Sequence, residues 1–366
     1  MRKVLIFIAC IAFNINAFAQ TNSTLDDALP TRGLSISAPS SATVDEFVRF
    51  IDEELAPAHF NLLVLLVDYK YAYESHPELA GDLTKADVKK IVAVCQKHGI
   101  EIAPQINLLG HQSWAKTTGK FLTVYPQFDE TPHVKLEESK VLGNGGDWND
   151  PDFFYCKSYC PLHPDVHKVL FDVIDEITEV FETKWFHAGM DEVTVLADPH
   201  CPRCSGLDPA RLFAGEVWTI HNHLAQQGKR MMIWGDRLLD CKATGYHNSE
   251  SSMNNTHQAI DLVPKDILIC DWHYGNAHQS PVYFAIKGFD VVACPWTDVK
   301  VATDYLDDML RSRQRSTKVL KPHFQGVLIT EWSGWDKFRD EYYKPSDKRE
   351  TAAAVVKMFI DRMKKM

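Results

Sequence analysis

Beyond its first 20 residues the chain lacks any apolar run long enough to cross a bilayer, which argues against a membrane-spanning protein. It also lacks an excess of positive charge. The formal net charge is −10 at pH 7, so a nucleic acid or an anionic membrane surface is not expected as a partner. No linker divides the 366 residues and no short repeat recurs, so we expect one large domain of ordinary globular composition.

The first residues form a segment of a different kind. Arg2-Lys3 gives a positive start, Val4 to Phe13 forms an apolar stretch, and Ala17-Phe18-Ala19 has the A-x-A form of a cleavage site. This pattern predicts a signal peptide over residues 1–19 and a mature domain over residues 20–366. We therefore expect an exported protein, periplasmic or extracellular, with no membrane span after the signal peptide.

Cysteine is present at nine positions, of which Cys10 lies in the leader. Export favours disulfides among the others, although the sequence does not give their connectivity. Two close pairs, Cys156-x3-Cys160 and Cys201-x2-Cys204, could instead form a closed zinc site. Three others lie in apolar runs and are expected in the core: Cys95, Cys270 and Cys294.

Short apolar runs alternate with segments of helical periodicity along most of the chain. This order predicts an α/β protein, specifically a (β/α)8 TIM barrel. The main alternative, an open doubly wound sheet, requires a Gly-rich phosphate turn after the first strand, and residues 35–41 contain none. The predicted strands span residues 33–39, 60–67, 100–106, 184–193, 230–236, 267–274, 290–298 and 326–335.

The segment from residue 113 to about residue 164 has no regular periodicity. It is rich in Gly, Asp, Asn and aromatic residues, with Asn144-Gly145-Gly146-Asp147-Trp148 at its centre. So long a loop inside a compact fold is usually functional, and we expect it to contribute to a site.

The fourth predicted strand ends in two adjacent carboxylates, Asp191 and Glu192. Because side chains alternate along a strand, both can face one cavity only if the backbone turns here, and Gly189 makes such a turn inexpensive. Such a pair could divide acid and base work, with one group protonated and the other ionised. Alternatively, the two carboxylates could simply cap a helix N-terminus.

Polar and aromatic residues recur where the predicted strands end, which is where TIM barrels place their active sites. Aromatic faces stack on sugar rings, and carboxylate or histidine side chains bind sugar hydroxyls. A single tryptophan could equally belong to the core, but the recurrence favours a pocket for a neutral carbohydrate. The residues at the strand ends are Asp68, Tyr69, His111, Asp191, Glu192, Trp234, Asp236, Trp272, Tyr274, Trp296, Asp298, Glu331 and Trp332.

The stretch His187-Ala188-Gly189-Met190-Asp191-Glu192 resembles the H-x-G-x-D-E motif of glycoside hydrolase family 20, the β-N-acetylhexosaminidases. The resemblance covers most of the chain, from Arg32 to Trp335. Further residues are similar to family positions that contact the sugar: Arg32, His111, Trp234, Trp272 and Trp332. We also expect His187 of the motif and Trp296 among the substrate-binding residues.

The resemblance implies a retaining hydrolysis in which the 2-acetamido oxygen of the substrate is the nucleophile. Glu192 would be the general acid and then the base, and Asp191 would hold the acetamido N–H and stabilise the oxazolinium ion. No metal or organic cofactor is implied. Expected substrate contacts are the acetamido oxygen for Tyr274, the ring and methyl for Trp234, Trp272 and Trp332, and the ring hydroxyls for Arg32 with Glu331 or Asp298.

Some positions differ from the family pattern. The first strand lacks a further Asp and Arg, Gly334 stands where the last strand usually carries a carboxylate, and Trp296-Thr297-Asp298 replaces Tyr-x-Asp. These departures leave open a carbohydrate-binding protein on an enzyme-like barrel. Separately, the four paired cysteines leave open a zinc-dependent hydrolase, although four thiolates form a closed structural site rather than a catalytic one.

Overall fold

The computed structural model describes residues 24–148, 150, 152–345 and 350–366. The predicted signal peptide and its cleavage site lie outside the described residues. The described part forms one closed barrel of parallel strands, so the predicted (β/α)8 TIM barrel is confirmed.

Eight parallel strands close the barrel in the order β1-β8-β7-β6-β5-β4-β3-β2. Strand β1 pairs with β2 on one side, where Gly33 is opposite Leu62, and with β8 on the other, where Arg32 is opposite Val327. The strands are β1 (Thr31–Ser37), β2 (Leu62–Leu66), β3 (Glu101–Leu108), β4 (Trp185–Gly189), β5 (Arg230–Trp234), β6 (Leu268–Asp271), β7 (Asp290–Ala293) and β8 (Phe324–Glu331).

Helices alternate with the strands and cover the outside of the barrel. Helix α2 (Lys85–His98) begins after Thr84, which forms a capping box with Asp87, and it ends at Gly99, whose φ is 66°. None of the helices in the described ranges is long and apolar enough to cross a membrane. The helices are α1 (Val44–Phe50), α2 (Lys85–His98), α3 (Lys120–Val124), α4 (Val166–Val180), α5 (Pro209–Gln226), α6 (Cys241–Thr244), α7 (Ser280–Ile286), α8 (Val299–Arg315), α9 (Trp335–Tyr343) and α10 (Ala352–Met363).

Strand alternation divides the core into two parts. One set of strand side chains fills the barrel interior, among them Val64, Met232 and Leu328. Their neighbours, such as Leu63 and Ile233, point outward and pack against the helices. Both faces of each strand are therefore apolar, which explains why the strands read as continuous hydrophobic runs.

The described parts of the long segment between β3 and α4 pack against the barrel. The backbone N–H of Gln112 donates to the carbonyl of Lys157 at 3.0 Å, and that of Tyr159 donates to Leu109 at 3.1 Å. The buried ammonium group of Lys157 lies 2.7 Å from the carboxylate of Asp129 within the segment. These contacts bring its second half back to the end of β3, beside the carboxyl end of β4.

Candidate active site

A cavity of about 710 Å³ opens at the carboxyl ends of the barrel strands. Its wall combines the strand ends with aromatic residues from the long segment after β3. This is the position at which TIM barrels build their sites, and its mixed apolar and polar lining suits an organic ligand with hydroxyl groups. The lining residues are Leu66, Asn107, His111, Trp114, Leu142, Trp148, Tyr155, Asp191, Glu192, Ser249, Trp272, Tyr274, Trp296, Trp332, Ser333 and Lys337.

The backbone turns sharply where β4 ends, as the sequence predicts. Gly189, Met190 and Glu192 have φ angles of 67°, 68° and 48°, all in the left-handed region. A Cβ on Gly189 would lie 2.9 Å from the Cα of Asn107, so only glycine fits there. Because of this turn, Asp191 and Glu192 both line the cavity instead of pointing to opposite sides of a strand. The helix-cap alternative is therefore wrong.

His111 lies between the two carboxylates. Its Nε2 is 3.2 Å from Oδ2 of Asp191 and 3.1 Å from Oε2 of Glu192. Burial alone would lower the pKa of His111, but the neighbouring Asp191 and Glu192 raise it well above its usual value. The raised pKa favours the imidazolium form of His111, whose charge attracts both carboxylates.

Asp191 stays ionised in this arrangement. Burial favours its neutral form, but the charge of His111 outweighs burial and lowers the pKa of Asp191 below its ordinary value. Its Oδ2 faces His111, while Oδ1 is buried and has no hydrogen-bond partner among the described residues. An ionised oxygen without a partner in a cavity is an acceptor for a ligand N–H or O–H group.

Glu192 is held from two directions. The hydroxyl of Tyr155, in the long segment, donates a short hydrogen bond to Oε2 of Glu192. The backbone N–H of Glu192 donates to Oδ2 of Asp236 at 2.8 Å. The contacts of Tyr155 and His111 both fall on Oε2, which leaves Oε1 as the oxygen to exchange a proton with a ligand.

Asp236 accepts hydrogen bonds from several parts of the site. Besides the N–H of Glu192, its carboxylate accepts the indole N–H of Trp272 at 3.2 Å and the Nε–H of the buried Arg237 at 2.6 Å. Burial raises the pKa of Asp236 to about 6, and Arg237 opposes that rise. Asp236 therefore fixes the position of Glu192 and of one aromatic wall at the same time.

Aromatic residues form the wall on the β6, β7 and β8 side. The indole N–H of Trp332 donates to the hydroxyl oxygen of Tyr274 at 2.7 Å. The Tyr274 ring lies 5.0 Å from that of Trp272 and 5.3 Å from that of Trp296, measured between centroids. The predicted positions of Trp272, Tyr274, Trp296 and Trp332 at one pocket are confirmed by this geometry.

Trp234 and His187 lie beneath the pocket and do not line it. Both are fully buried, with ring centroids 4.6 Å apart, and Trp234 packs against Trp332 at 5.4 Å. The Nδ1 atom of His187 accepts the N–H of Gly189 at 3.0 Å. Their prediction as substrate contacts is wrong. They support the turn and the wall instead, because a residue within β4 or β5 points into the filled barrel interior.

Arg32 is at the opposite end of the barrel, which corrects its prediction as a binder of sugar hydroxyls. It is the second residue of β1, about 17 Å before the carboxyl end at 3.3 Å per residue. Its guanidinium donates to the carbonyl oxygens of Leu29 and His59, each at 2.6 Å, and pairs with Asp26 at 2.8 Å. These contacts make Arg32 a structural residue of the amino-terminal end.

Asp298 and Glu331 also have local structural roles. Asp298 caps helix α8 by accepting the backbone N–H groups of Lys300 at 2.7 Å and Val301 at 3.0 Å. Glu331 accepts the backbone N–H groups of Ser333 at 2.7 Å and Gly334 at 2.8 Å, which fixes the turn after β8. Neither lines the cavity, so their prediction as contacts to sugar hydroxyls is wrong.

Several residues of the site were not predicted individually. The irregular segment after β3 was expected to contribute, and it supplies Tyr155, Trp148 and Trp114. Asp236 stood among the strand-end residues but without a role. Lys337 on helix α9 reaches the cavity, and nothing in its sequence context indicated this.

The two cysteine pairs do not come together as one set of four. Cys160, Cys201 and Cys204 converge, with ligand atoms within 4.8 Å of one another. Cys156 lies elsewhere, and its Sγ donates to the backbone carbonyl of Glu192 at 3.6 Å. The alternative of a four-cysteine zinc site is therefore wrong. The prediction that Cys95, Cys270 and Cys294 are buried is confirmed.

Comparison with known families agrees with this geometry. The family model described as glycosyl hydrolase family 20, catalytic domain, matches residues 59–355. The chain belongs to glycosyl hydrolase family 20. The matched range includes β2 to β8 and both carboxylates of the site.

The curated relatives that the chain matches are distant in sequence. A beta-hexosaminidase of Vibrio furnissii is 24% identical over 265 residues, which are 70% of this chain and 35% of that protein. A lacto-N-biosidase of Bifidobacterium bifidum is 24% identical over 276 residues, 71% of this chain and 21% of that protein. The chain thus spans about a third or less of the length of these relatives.

Solved structures share the fold. The chitobiase of Flavobacterium johnsoniae superposes with a TM-score of 0.63 at 21% identity, covering 92% of this chain and 50% of that one. A beta-N-acetylhexosaminidase structure superposes with a TM-score of 0.64 at 18% identity, covering 92% and 75%. At these identities the superpositions support the barrel fold, and the chemistry has to be argued from the site itself.

Proposed function

We propose that this protein is a retaining glycoside hydrolase that removes β-linked N-acetylhexosamine from a glycan, with the 2-acetamido group of the substrate as nucleophile. The observation that carries the proposal is the pair at the turn after β4. Asp191 is ionised with a free Oδ1, and Glu192 lies beside it in the same cavity. Membership of family 20 and the relatives named as hexosaminidases support it.

Glu192 is the general acid in the first step. It transfers a proton to the glycosidic oxygen as the bond to the anomeric carbon breaks. The carboxylate that forms is stabilised by the hydroxyl of Tyr155 and the charge of His111 on Oε2. Glu192 then takes a proton from the water that opens the oxazolinium ion, which restores the acid and retains the anomeric configuration.

Asp191 positions the nucleophile. Its Oδ1 accepts the acetamido N–H, which turns the acetamido carbonyl oxygen toward the anomeric carbon. As the oxazolinium ion forms, positive charge develops on the acetamido nitrogen, and the ionised carboxylate stabilises it. The rings of Trp272 and Trp332, with the hydroxyl of Tyr274 between them, enclose the acetamido group and exclude water.

The substitution Glu192→Gln tests this assignment. It keeps the side-chain shape but removes the transferable proton, so hydrolysis of an unactivated N-acetyl-β-glucosaminide should fall by roughly 100-fold or more. Because an aryl leaving group with a low pKa needs little protonation, the loss should be smaller on an activated aryl glycoside. Near-wild-type turnover of the unactivated substrate by the variant would refute the acid role.

A carbohydrate-binding protein without turnover is the second candidate. It is favoured by one observation: Arg32, Asp298 and Glu331, the expected contacts to the ring hydroxyls, all lie outside the cavity. Calorimetric binding of an N-acetylhexosamine oligosaccharide, with no product released by the wild-type protein over hours, would support this candidate over the hydrolase.

We also propose that the protein is exported and acts on its glycan in the periplasm or outside the cell. The positive start, the apolar stretch and the A-x-A site of residues 1–19 support this. Mass spectrometry of the protein from its host should find a mature amino terminus near Gln20. An intact Met1 in the mature protein would count against export.

A further inference from the structure

Three cysteines converge beside the active site without touching it. Cys160 follows the segment that carries Tyr155, and Cys201 and Cys204 follow the turn that carries Asp191 and Glu192. All three thiols are buried. Their convergence joins the two chain segments that hold the catalytic carboxylate and its hydrogen-bond donor.

The spacing of the sulfur atoms matches a metal site. Sγ of Cys160 lies 3.3 Å from Sγ of Cys204 and 3.6 Å from Sγ of Cys201. Tetrahedral zinc with Zn–S bonds of about 2.3 Å places its sulfur ligands about 3.8 Å apart. Two of the three separations are close to that value and the third is within 4.8 Å, so small shifts suffice to bind one ion. A disulfide would join two of the thiols and leave the third unused.

The backbone around these thiols suits metal ligation. The N–H of Cys204 points to Sγ of Cys201 at 3.4 Å, in a Cys-Pro-Arg-Cys sequence with C-x2-C ligand spacing. In metal sites of this spacing, such backbone N–H groups stabilise the bound thiolates.

A buried carboxylate lies close to the chain segments that carry the thiols, although it is not within ligand distance of all three sulfur atoms. Glu130 is fully buried, and its Oε1 accepts the N–H of Asp198 at 3.0 Å, while Oε2 has no hydrogen-bond partner in the described part of the chain. Its backbone N–H donates to the carbonyl of Ser158 at 3.1 Å, two residues before Cys160. His163, three residues after Cys160, accepts the N–H of Asp165 through Nδ1 at 3.2 Å, and its ring is not among the described groups that converge with the thiols.

We propose that Cys160, Cys201 and Cys204 bind one structural Zn²⁺, with a water molecule held by Glu130 completing the tetrahedron. Zinc binding releases the thiol protons to solvent and offsets the cost of the buried carboxylate. A site of this kind is closed, so it takes no part in the hydrolysis. It fastens the segment of Tyr155 to the segment of Glu192, and this inference stands whether or not the proposed glycosidase activity is found.

Metal analysis of the full-length protein, purified without chelators and with thiols protected, tests the proposal. Wild-type protein should contain about one zinc ion per chain, and Cys201→Ala and Cys204→Ala should lose most of it. Cys95→Ala is the matched control, because Cys95 and Cys201 are each 1% exposed and Cys95 lies on helix α2. A strong zinc chelator should lower the Tm of wild type and of Cys95→Ala but not of Cys201→Ala.

Wild-type protein without zinc, together with a Cys160–Cys204 disulfide in peptide mass spectrometry, would overturn the proposal. The fourth ligand has its own test. Glu130→Gln should weaken zinc retention during dialysis, and His163→Gln should not. Zinc loss in His163→Gln with full retention in Glu130→Gln would overturn the assignment of Glu130.

Discussion

Nε2 of His111 lies 3.2 Å from Oδ2 of Asp191, and the two groups shift each other's pKa in opposite directions. The raised pKa of His111 means that its contribution to stability is full below its unfolded pKa and is lost as pH rises through the folded value. The lowered pKa of Asp191 means that its contribution is present above the unfolded value and is lost as pH falls through the folded one. Both contributions are therefore present across the weakly acidic range.

Substitution His111→Gln should move the acid limb of the kcat/KM profile to higher pH. Without the imidazolium, nothing outweighs the effect of burial on the pKa of Asp191, so that pKa rises. The ionised form of Asp191, which binds the acetamido N–H, is then lost at a higher pH. The measurement is kcat/KM against pH on an N-acetyl-β-glucosaminide. His98→Gln, outside the cavity, is the control and should leave the profile unchanged. An unmoved acid limb in His111→Gln would contradict the role of the imidazolium.

Substitution Tyr155→Phe should lower kcat by about 10- to 150-fold. A hydrogen bond to a charged group contributes about 1.5–3 kcal/mol, and here it stabilises the carboxylate that forms as Glu192 gives up its proton. Tyr159→Phe is a matched control, because Tyr159 is a buried tyrosine of the same segment whose hydroxyl bonds to Glu216 outside the cavity. Equal kcat losses in both variants would indicate a loosened segment rather than a specific contact to Glu192.

Substitution Asp68→Asn should flatten the pH dependence of stability. Burial raises the pKa of Asp68 to about 6 from an ordinary 3.8, so the folded protein binds more protons than the unfolded chain between these values. Stability therefore falls as pH rises through this window, by at most about 3 kcal/mol from this one group. The amide keeps the bond that Asp68 accepts from the N–H of Asn107 at 2.8 Å. Urea unfolding at about pH 4 and about pH 7 measures how much unfolding free energy is lost between the two, and this loss should be smaller in the variant. An equal loss in the variant and the wild type would rule out Asp68 as the source of the pH dependence.

Substitution Arg32→Met should reduce stability without changing catalysis. It leaves the carbonyl oxygens of Leu29 and His59 without their donors, at a cost of about 1–3 kcal/mol. Lys337→Met is the comparison variant. Lys337 lines the cavity, so removal of its ammonium group should raise KM. A lower Tm with unchanged kcat/KM is expected for Arg32→Met. A raised KM in that variant would show that the residue influences the sugar site after all.

The barrel was predictable because each strand is a buried apolar run and each long helix has amphipathic spacing. The turn at Asp191 and Glu192 was also predictable, since two adjacent carboxylates after Gly189 can share a cavity only if the chain turns. Arg32 could not be placed from the pattern alone, because a residue near the start of a strand lies one barrel length from the site. A small difference in where a strand begins thus decides a functional assignment.

Contacts between distant segments account for most of the site features that the sequence did not predict. Tyr155 reaches Glu192 across 37 residues, and no local pattern encodes that approach. Asp298 and Glu331 stand at strand ends, but their oxygens are used by the backbone N–H groups of the following turns. Whether a strand-end carboxylate caps a helix or faces a ligand depends on the orientation of its side chain, which the sequence does not specify.

The most direct test of the account compares substrates whose 2-acetamido group carries none, one, two or three fluorine atoms on its methyl. Fluorine withdraws electrons from the carbonyl oxygen, so a reaction in which that oxygen attacks the anomeric carbon should slow steeply along the series. We predict a progressive fall in kcat/KM, and no measurable turnover of the corresponding β-glucoside without the acetamido group. A flat series, or efficient hydrolysis of the plain β-glucoside, would contradict the proposed role of the substrate's own nucleophile and of Asp191 in orienting it.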